Sequence, residues 1–316
     1  RPLRIRERIF CILLTIVLAH FTSKYIEQPI RHKKIAGKKI YLLFGVTTVV
    51  SLVAGLGLAS TSSSMISVRG TDYKFNLVDV MQKPAVYGDD CHSNYGETKS
   101  GECIYGDKGS KKSIVLYGDS HAAQWFPALE ELAIERGYKL VSLTKSACPS
   151  VDVPRADQGA YKNIHCEKWR DYAIDRIKQL RPEAVIMSSF QYFSPPSGYP
   201  SESKWWRDGQ LRLLNSLRGL SDHLIYISDT PRPQRDIPNC LASKDVKSCN
   251  TTQETPVKII NGFQKIDPTP WLCSDQCLAI QDGYVVYRDA SHISVAAALA
   301  LKPQLEAAIL EKGLFS

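Results

Sequence analysis

Past residue 60 the chain carries no excess of either charge. Of its 40 Lys/Arg and 32 Asp/Glu, ten and two fall within residues 1–60, which leaves thirty of each beyond. The formal net charge of +8 therefore sits wholly in the first sixty residues. A neutral remainder lacks the basic footprint of a nucleic-acid binder, so no nucleic-acid partner is expected. Positive charge that flanks apolar segments is the pattern found at a membrane. Cysteine is as uneven. Apart from Cys11, none occurs before Cys91; Cys103, Cys148, Cys166, Cys240, Cys249, Cys273 and Cys277 come after it. Eight half-cystines leave many pairings open, and neighbours in sequence suggest 91–103, 148–166, 240–249 and 273–277. An even, clustered set points to an oxidising compartment. The alternative is zinc at Cys273-x-x-x-Cys277, but no second pair of matching spacing accompanies it, so no metal is expected. The chain also lacks an initial methionine: it begins at Arg1, as a fragment would.

Two apolar segments stand within the basic stretch. Ile9–Phe21 is short for a span; with its flanks, up to Ile26, it suits a helix of a larger membrane bundle or an interfacial helix. Ile40–Ser60 has no charge and is about 30 Å long as a helix, enough to cross the hydrocarbon core. Between them lie Lys24, Arg31, Lys33, Lys34, Lys38 and Lys39, which the positive-inside rule places in the cytoplasm. Arg1, Arg4, Arg6 and Arg8 argue weakly the other way. Everything after residue 60 is then expected outside the inner membrane, in agreement with the cysteines. Thr61–Lys112 is rich in Ser, Gly and Asp with little periodicity and reads as a linking region, partly ordered by Cys91 and Cys103, with Tyr73, Phe75 and Tyr87 available to pack on the next domain. The expected division is 1–39 (apolar segment and basic loop), 40–60 (transmembrane helix), 61–112 (linking region) and 113–316 (a folded domain).

From Lys112 the pattern alternates. Strand-like runs are Ser113–Tyr117, Lys139–Leu143, Ala184–Ser188, His223–Ser228 and Tyr284–Tyr287. Helix-like stretches are Ala122–Arg136, Ile164–Leu180, Trp205–Leu220, Thr255–Ile266 and Ser294–Leu310, with Pro303 expected to interrupt the last. Such alternation predicts an α/β fold with a parallel sheet covered on both faces. Sites in these sheets lie outside the carboxyl ends of the strands.

The first strand runs straight into Gly118-Asp119-Ser120-His121. A serine there stands at a strand's carboxyl end and a helix's N-terminus, where unpaired N–H groups suit an oxyanion. The plainer reading is a turn with Asp119 or Ser120 as N-cap. Asp289-Ala290-Ser291-His292 lies just beyond the last expected strand, and Ser294 is a candidate N-cap for the closing helix. Ser120 as nucleophile, His292 as base and Asp289 as the acid that orients it would complete a triad. His121, His165 and His223 are expected to be structural. Tyr192, Phe193, Tyr199, Trp205 and Trp206 crowd one Pro- and Ser-rich segment. They could wall a carbohydrate cleft, with Tyr192, Trp205 and Trp206 the candidate contacts, or pack in the core.

Gly118-Asp119-Ser120-His121 with Asp289-x-x-His292 resembles the SGNH (GDSL-like) hydrolase superfamily. Cys148-Pro149, Cys166, the later cysteines and Tyr287-x-Asp289-x-x-His292 resemble its periplasmic branch, which is fused to acyltransferase family 3 membrane domains. Tyr25-Ile26-Glu27-Gln28-Pro29-Ile30-Arg31 resembles the end of that membrane domain. The resemblance implies a three-layer, flavodoxin-like α/β sheet preceded by one or two membrane helices, in a C-terminal fragment of the full protein. It implies O-acylation of a cell-surface polysaccharide such as lipopolysaccharide O-antigen, in the periplasm at the bacterial inner membrane. The acceptor and the membrane acyltransferase domain would be partners; no bound cofactor is expected, and acetyl-CoA would serve the membrane domain as donor. An esterase, or a glycan-positioning module without catalysis, would share the fold. The superfamily's oxyanion Gly and Asn have no counterpart in Thr144-Lys145-Ser146-Ala147-Cys148 or Ser188-Ser189-Phe190-Gln191. The Ser120 backbone N–H, with Ser146 or Gln191, would have to serve.

Overall fold

A computed structural model describes residues 5–31, 38–61, 65–199, 201–252 and 259–315. It divides into two units, Arg1–Ser64 and Met65–Ser316. In the first, helix α1 (Ile5–Thr22) runs into a π-helical turn, Ser23–Glu27, and a final turn, Gln28–Arg31. Pro29 has no N–H to give the preceding turn, a common cause of such widening. Helix α2 (Lys38–Thr61) contains the whole uncharged run expected at 40–60. Leu42, Val49, Leu52 and Leu56 are exposed on it. Its side chains at 38–40, 43, 44, 54 and 57–61, and the whole of the basic loop 32–37, lie outside the described set. Among the described residues no helix is long and apolar enough to cross a membrane.

The second unit is built on one sheet. Its strands are β1 (His92–Ser93), β2 (Ile104–Gly106), β3 (Ser113–Gly118), β4 (Lys139–Lys145), β5 (Ala184–Ser188), β6 (His223–Ile227) and β7 (Gln264–Ile266). The spatial order is β1-β4-β3-β5-β6-β7, parallel throughout, and β2 adds to β4 antiparallel. Strand β3 shows why the sheet is covered twice. Ile114 and Leu116 join one apolar cluster, Val115 and Tyr117 the other, and all four are fully buried. A strand apolar at every position cannot leave either face in water. The first face is covered by α3 (Phe126–Arg136), Val295–Ala300 and α6 (Lys302–Glu311), the second by α4 (Asn163–Leu180) and α5 (Glu202–Leu217).

Several expectations need correction. Tyr284–Val285 pairs only with Ile280–Gln281 in a separate hairpin; the sheet's last strand is β7, within the stretch expected to be helix. Residues 253–258 of that stretch lie outside the described residues. Gly262, at φ +107°, precedes β7 in a conformation a helix cannot hold. The linking region is folded from Met65 on: Val68, Phe75 and Val86 are buried, and β1 and β2 extend the sheet. The helix expected from Ala122 is two, Ser120–Ala123 and α3, with Pro127 in the first turn of the second. Pro303 divides the closing helix as expected, standing in the first turn of α6. All four cysteine pairs join sequence neighbours. With Cys273 and Cys277 bonded to each other, neither sulfur is a thiolate for zinc.

Candidate active site

Three neighbouring strands deliver their ends to one place: β3 ends before Asp119-Ser120-His121, β5 before Phe190-Gln191, and β6 before Asp229. Gly118 makes the first of these possible. Its φ is +151°, and a Cβ there would stand 2.1 Å from the Ser188 carbonyl oxygen and 2.9 Å from Ala122 Cβ. Only glycine lets β3 turn this close against β5. Asp119 then locks the turn. Its Oδ1 accepts the His121 N–H at 2.8 Å, capping the short helix, and its carboxylate also accepts the Phe190 N–H, at 3.0 Å to Oδ2. The N-cap reading of Asp119 and the exposed-nucleophile reading of Ser120 are thus both satisfied. Burial pushes the Asp119 carboxyl up to about 6, against the pull of His121.

The partner of Ser120 arrives from the far end of the chain. Asp289 Oδ1 accepts the N–H groups of Ser291 (2.7 Å) and His292 (2.8 Å), folding Asp289–His292 into a tight turn. Arg288 N–H donates to the His292 carbonyl at 3.0 Å, and Ile293 N–H to Gln124 Oε1 at 2.9 Å, so the turn is held against the helix that begins at Ser120. Ser294 caps the next helix through the Ala297 N–H. Within the turn, His292 Nδ1 lies 2.8 Å from Asp289 Oδ2, and His292 Nε2 lies 2.8 Å from Ser120 Oγ. An ionised carboxylate only accepts, so Nδ1 carries the proton and Nε2 accepts from the serine hydroxyl. Ser120, His292 and Asp289 are therefore brought together as a hydrogen-bonded relay.

Electrostatics keep this relay in one protonation state. Burial, then the neighbouring His121, push His292 down to about 4, against the opposing pull of Asp289. Burial acts to raise the Asp289 carboxyl, but the His292 hydrogen bond and charge, and after them Arg288, hold it well below the usual range. Arg288 is itself buried, 3.5 Å from Asp289 Oδ2. At neutral pH the imidazole is free to take a proton while its carboxylate remains charged.

The other sequence-derived candidates separate. The Ser120 N–H opens the helical turn and has no hydrogen-bond partner among the described residues. Ser146 is occupied: its N–H donates to the Ser93 carbonyl at 2.9 Å and its hydroxyl lies 3.1 Å from His92 Nε2. The Gln191 N–H donates to Asp229 Oδ2 at 3.0 Å. Trp205 and Trp206 are 1% and 3% exposed and pack in the second core cluster, so neither offers a face to a sugar ring; that part of the carbohydrate wall is corrected to core. Tyr192 and Phe193 are half-buried beside Phe190, with the Arg232 guanidinium 5.6 Å from the Tyr192 ring centre and Arg155 3.5 Å from that of Phe193. His223 opens β6 against Gln264, away from the relay. His121 is not remote: its ring centre is 4.5 Å from that of His292. Sequence reading also passed over Asp229, although an acid just beyond a strand's carboxyl end was a usable signal. Among the described residues no cluster of three His, Cys, Asp or Glu side chains is placed to hold a metal.

A family model, SGNH domain (fused to AT3 domains), matches residues 90–307. The chain belongs to this family. Among solved structures, the lipopolysaccharide acetyltransferase periplasmic domain of Salmonella ser. Paratyphi A is similar at 18% identity and a TM-score of 0.54, over 71% of this chain and 93% of that one. An acylhydrolase-described protein from Bacteroides fragilis is similar at 12% identity and a TM-score of 0.39, over 66% of this chain and 91% of that one. No curated protein matches the chain. The SGNH match starts one residue before Cys91, so β1 and β2 fall within it, while Met65–Asp89 precede it.

Proposed function

We propose that this SGNH domain transfers an acyl group, acetyl in the first instance, to hydroxyls of a cell-surface polysaccharide through a Ser120 ester. The observation that carries the reading is the Ser120–His292–Asp289 relay in a domain of the AT3-fused family. Ser120 Oγ attacks the acyl carbonyl carbon as its proton passes to His292 Nε2, and Asp289 steadies the imidazolium. The oxyanion lies toward the Ser120 N–H. Collapse breaks the bond to the leaving group, which takes the proton from His292. A sugar hydroxyl then repeats the sequence on the acyl-serine and leaves as the ester. Acetyl-CoA supplies the group to the membrane acyltransferase domain, that domain anchors the protein in the inner membrane, and the SGNH domain works in the periplasm. The four disulfides, which join all eight cysteines after residue 90, support that compartment.

The test is surface-glycan acetylation in cells that carry wild type or Ser120→Ala. Acetylation should vanish with the hydroxyl. Intact acetylation in Ser120→Ala would sink catalysis here and leave a glycan-positioning module. Rapid deacetylation of acetylated glycan by the protein, with none added in cells, would make it an esterase.

A further inference from the structure

A second serine–histidine–acid array lies against the first. Ser291 Oγ is 2.8 Å from His121 Nε2, and His121 Nδ1 is 2.5 Å from Asp229 Oδ1. Asp229 also accepts the Thr230 N–H at 2.9 Å and the Gln191 N–H at 3.0 Å. With that carboxylate accepting from Nδ1–H, Nε2 must accept from the Ser291 hydroxyl. Each histidine comes directly after the other array's serine in sequence, Ser120-His121 and Ser291-His292, and the two rings stand 4.5 Å apart.

The arrays match up to the hydroxyl and differ beyond it. The Ser120 N–H stands at the start of a helical turn without a partner among the described residues. The N–H groups of Ser291 and of His292 are both spent on Asp289 Oδ1. An oxyanion formed on a Ser291 adduct would find neither of these donors, and a lost donor costs on the order of a hundredfold or more in rate. What the second array does hold is the turn. Arg288 N–H and Gln124 tie that turn to itself and to the helix after Ser120. Besides the His292–Ser120 contact itself, the Ser291–His121–Asp229 chain ties the turn a second time to the end of β3 and carries it on to the end of β6.

Building on the nucleophile reading of Ser120, we propose that Ser291, His121 and Asp229 are positioning residues that fix the Asp289–His292 turn, so that His292 Nε2 stays aligned on Ser120 Oγ. A base allowed to swing by about 1 Å loses on the order of a hundredfold in rate while substrate binding is untouched.

The experiment is hydrolysis of 4-nitrophenyl acetate by the full chain, with Ser291→Ala, Ser291→Thr and Ser120→Ala compared to wild type. Ser291 is half-buried, so its truncation leaves no core cavity, and an unchanged melting temperature checks this. Ser291→Ala should lower kcat about ten- to a hundredfold with KM within twofold, and Ser291→Thr, which keeps the hydroxyl, should recover most of the loss. A wild-type kcat in Ser291→Ala beside a dead Ser120→Ala overturns the positioning role alone. Wild-type rates in Ser120→Ala overturn the nucleophile and the positioning role together. An acetyl found on Ser291 of Ser120→Ala by peptide mass spectrometry also overturns it, because Ser291 is then a nucleophile.

Discussion

The two serine–histidine–acid arrays use the same three residue types at nearly the same distances, 2.8 Å from hydroxyl to imidazole in each. They differ in how each histidine is held and in what surrounds each hydroxyl. His292 takes its acid from three residues away, inside one turn, whereas His121 takes Asp229 from 108 residues away, across two strand ends. His121 is 2% exposed and His292 rather more open, which fits a base that must meet substrate. The lesson is that a hydrogen-bonded triad is a geometry, and chemistry arises only where backbone donors and access accompany it.

The comparison breaks most sharply at Ser120, the proposed nucleophile. Ser120→Ala should lower esterase turnover by on the order of 10⁴-fold or more, read by steady-state kinetics. The acids come next, and the same change in each separates the arrays. Asp289→Asn should cost about a thousandfold in kcat through the wrong imidazole tautomer, whereas Asp229→Asn should cost only about tenfold. Equal losses would mean that the arrays share the chemistry. Gly118→Ala strikes both, because Ser120 and His121 leave the same turn. The added Cβ meets backbone at 2.1 Å, so unfolding in urea should show about 3 kcal/mol of lost stability.

The smallest effect is in pH. The acid limb of kcat/KM should have its midpoint near pH 4, where His292 charges, rather than near 6.5. His92, His121 and His292 are all lowered by burial, to about 3, 4 and 4. The unfolded chain therefore binds more protons than the native one between about pH 6.5 and 4, and stability should fall as pH drops through that window. Asp119, raised to about 6, and Glu130, raised by burial, work the other way, since their native forms take up a proton first. The three imidazoles outweigh them and leave a net loss, measurable as a falling Tm. A flat Tm from pH 7 to 4 would mean that these imidazoles are hydrated.

Much of the frame was legible in the chain because its signals are local. The apolar run Ser113–Gly118 can only be a strand covered on both faces, and Ser294 shows its cap by residue type alone. The relay was legible because Asp289 and His292 lie three apart and Ser120 sits at a strand end. Trp205 and Trp206 were not, since an aromatic beside prolines reads alike whether it faces sugar or core; their burial is set by a cluster drawn from other elements, and Trp205 Nε1 donates to the Pro154 carbonyl 51 positions away. Strand β7 was hidden by its length, three residues with no alternation to read.

By itself, the sequence determined the neutral charge past residue 60, the strand-to-helix turn at Gly118–His121 and the turn chemistry of Asp289–His292. The two turns depend on residues a few positions apart, where sterics and short-range hydrogen bonds decide. Only the tertiary structure decided that His121 belongs beside the relay, that Asp229 is its acid and that Ser291 is its third member. Those contacts join residues 108 and 170 positions apart, and the packing of three strand ends, which no local pattern records, sets them.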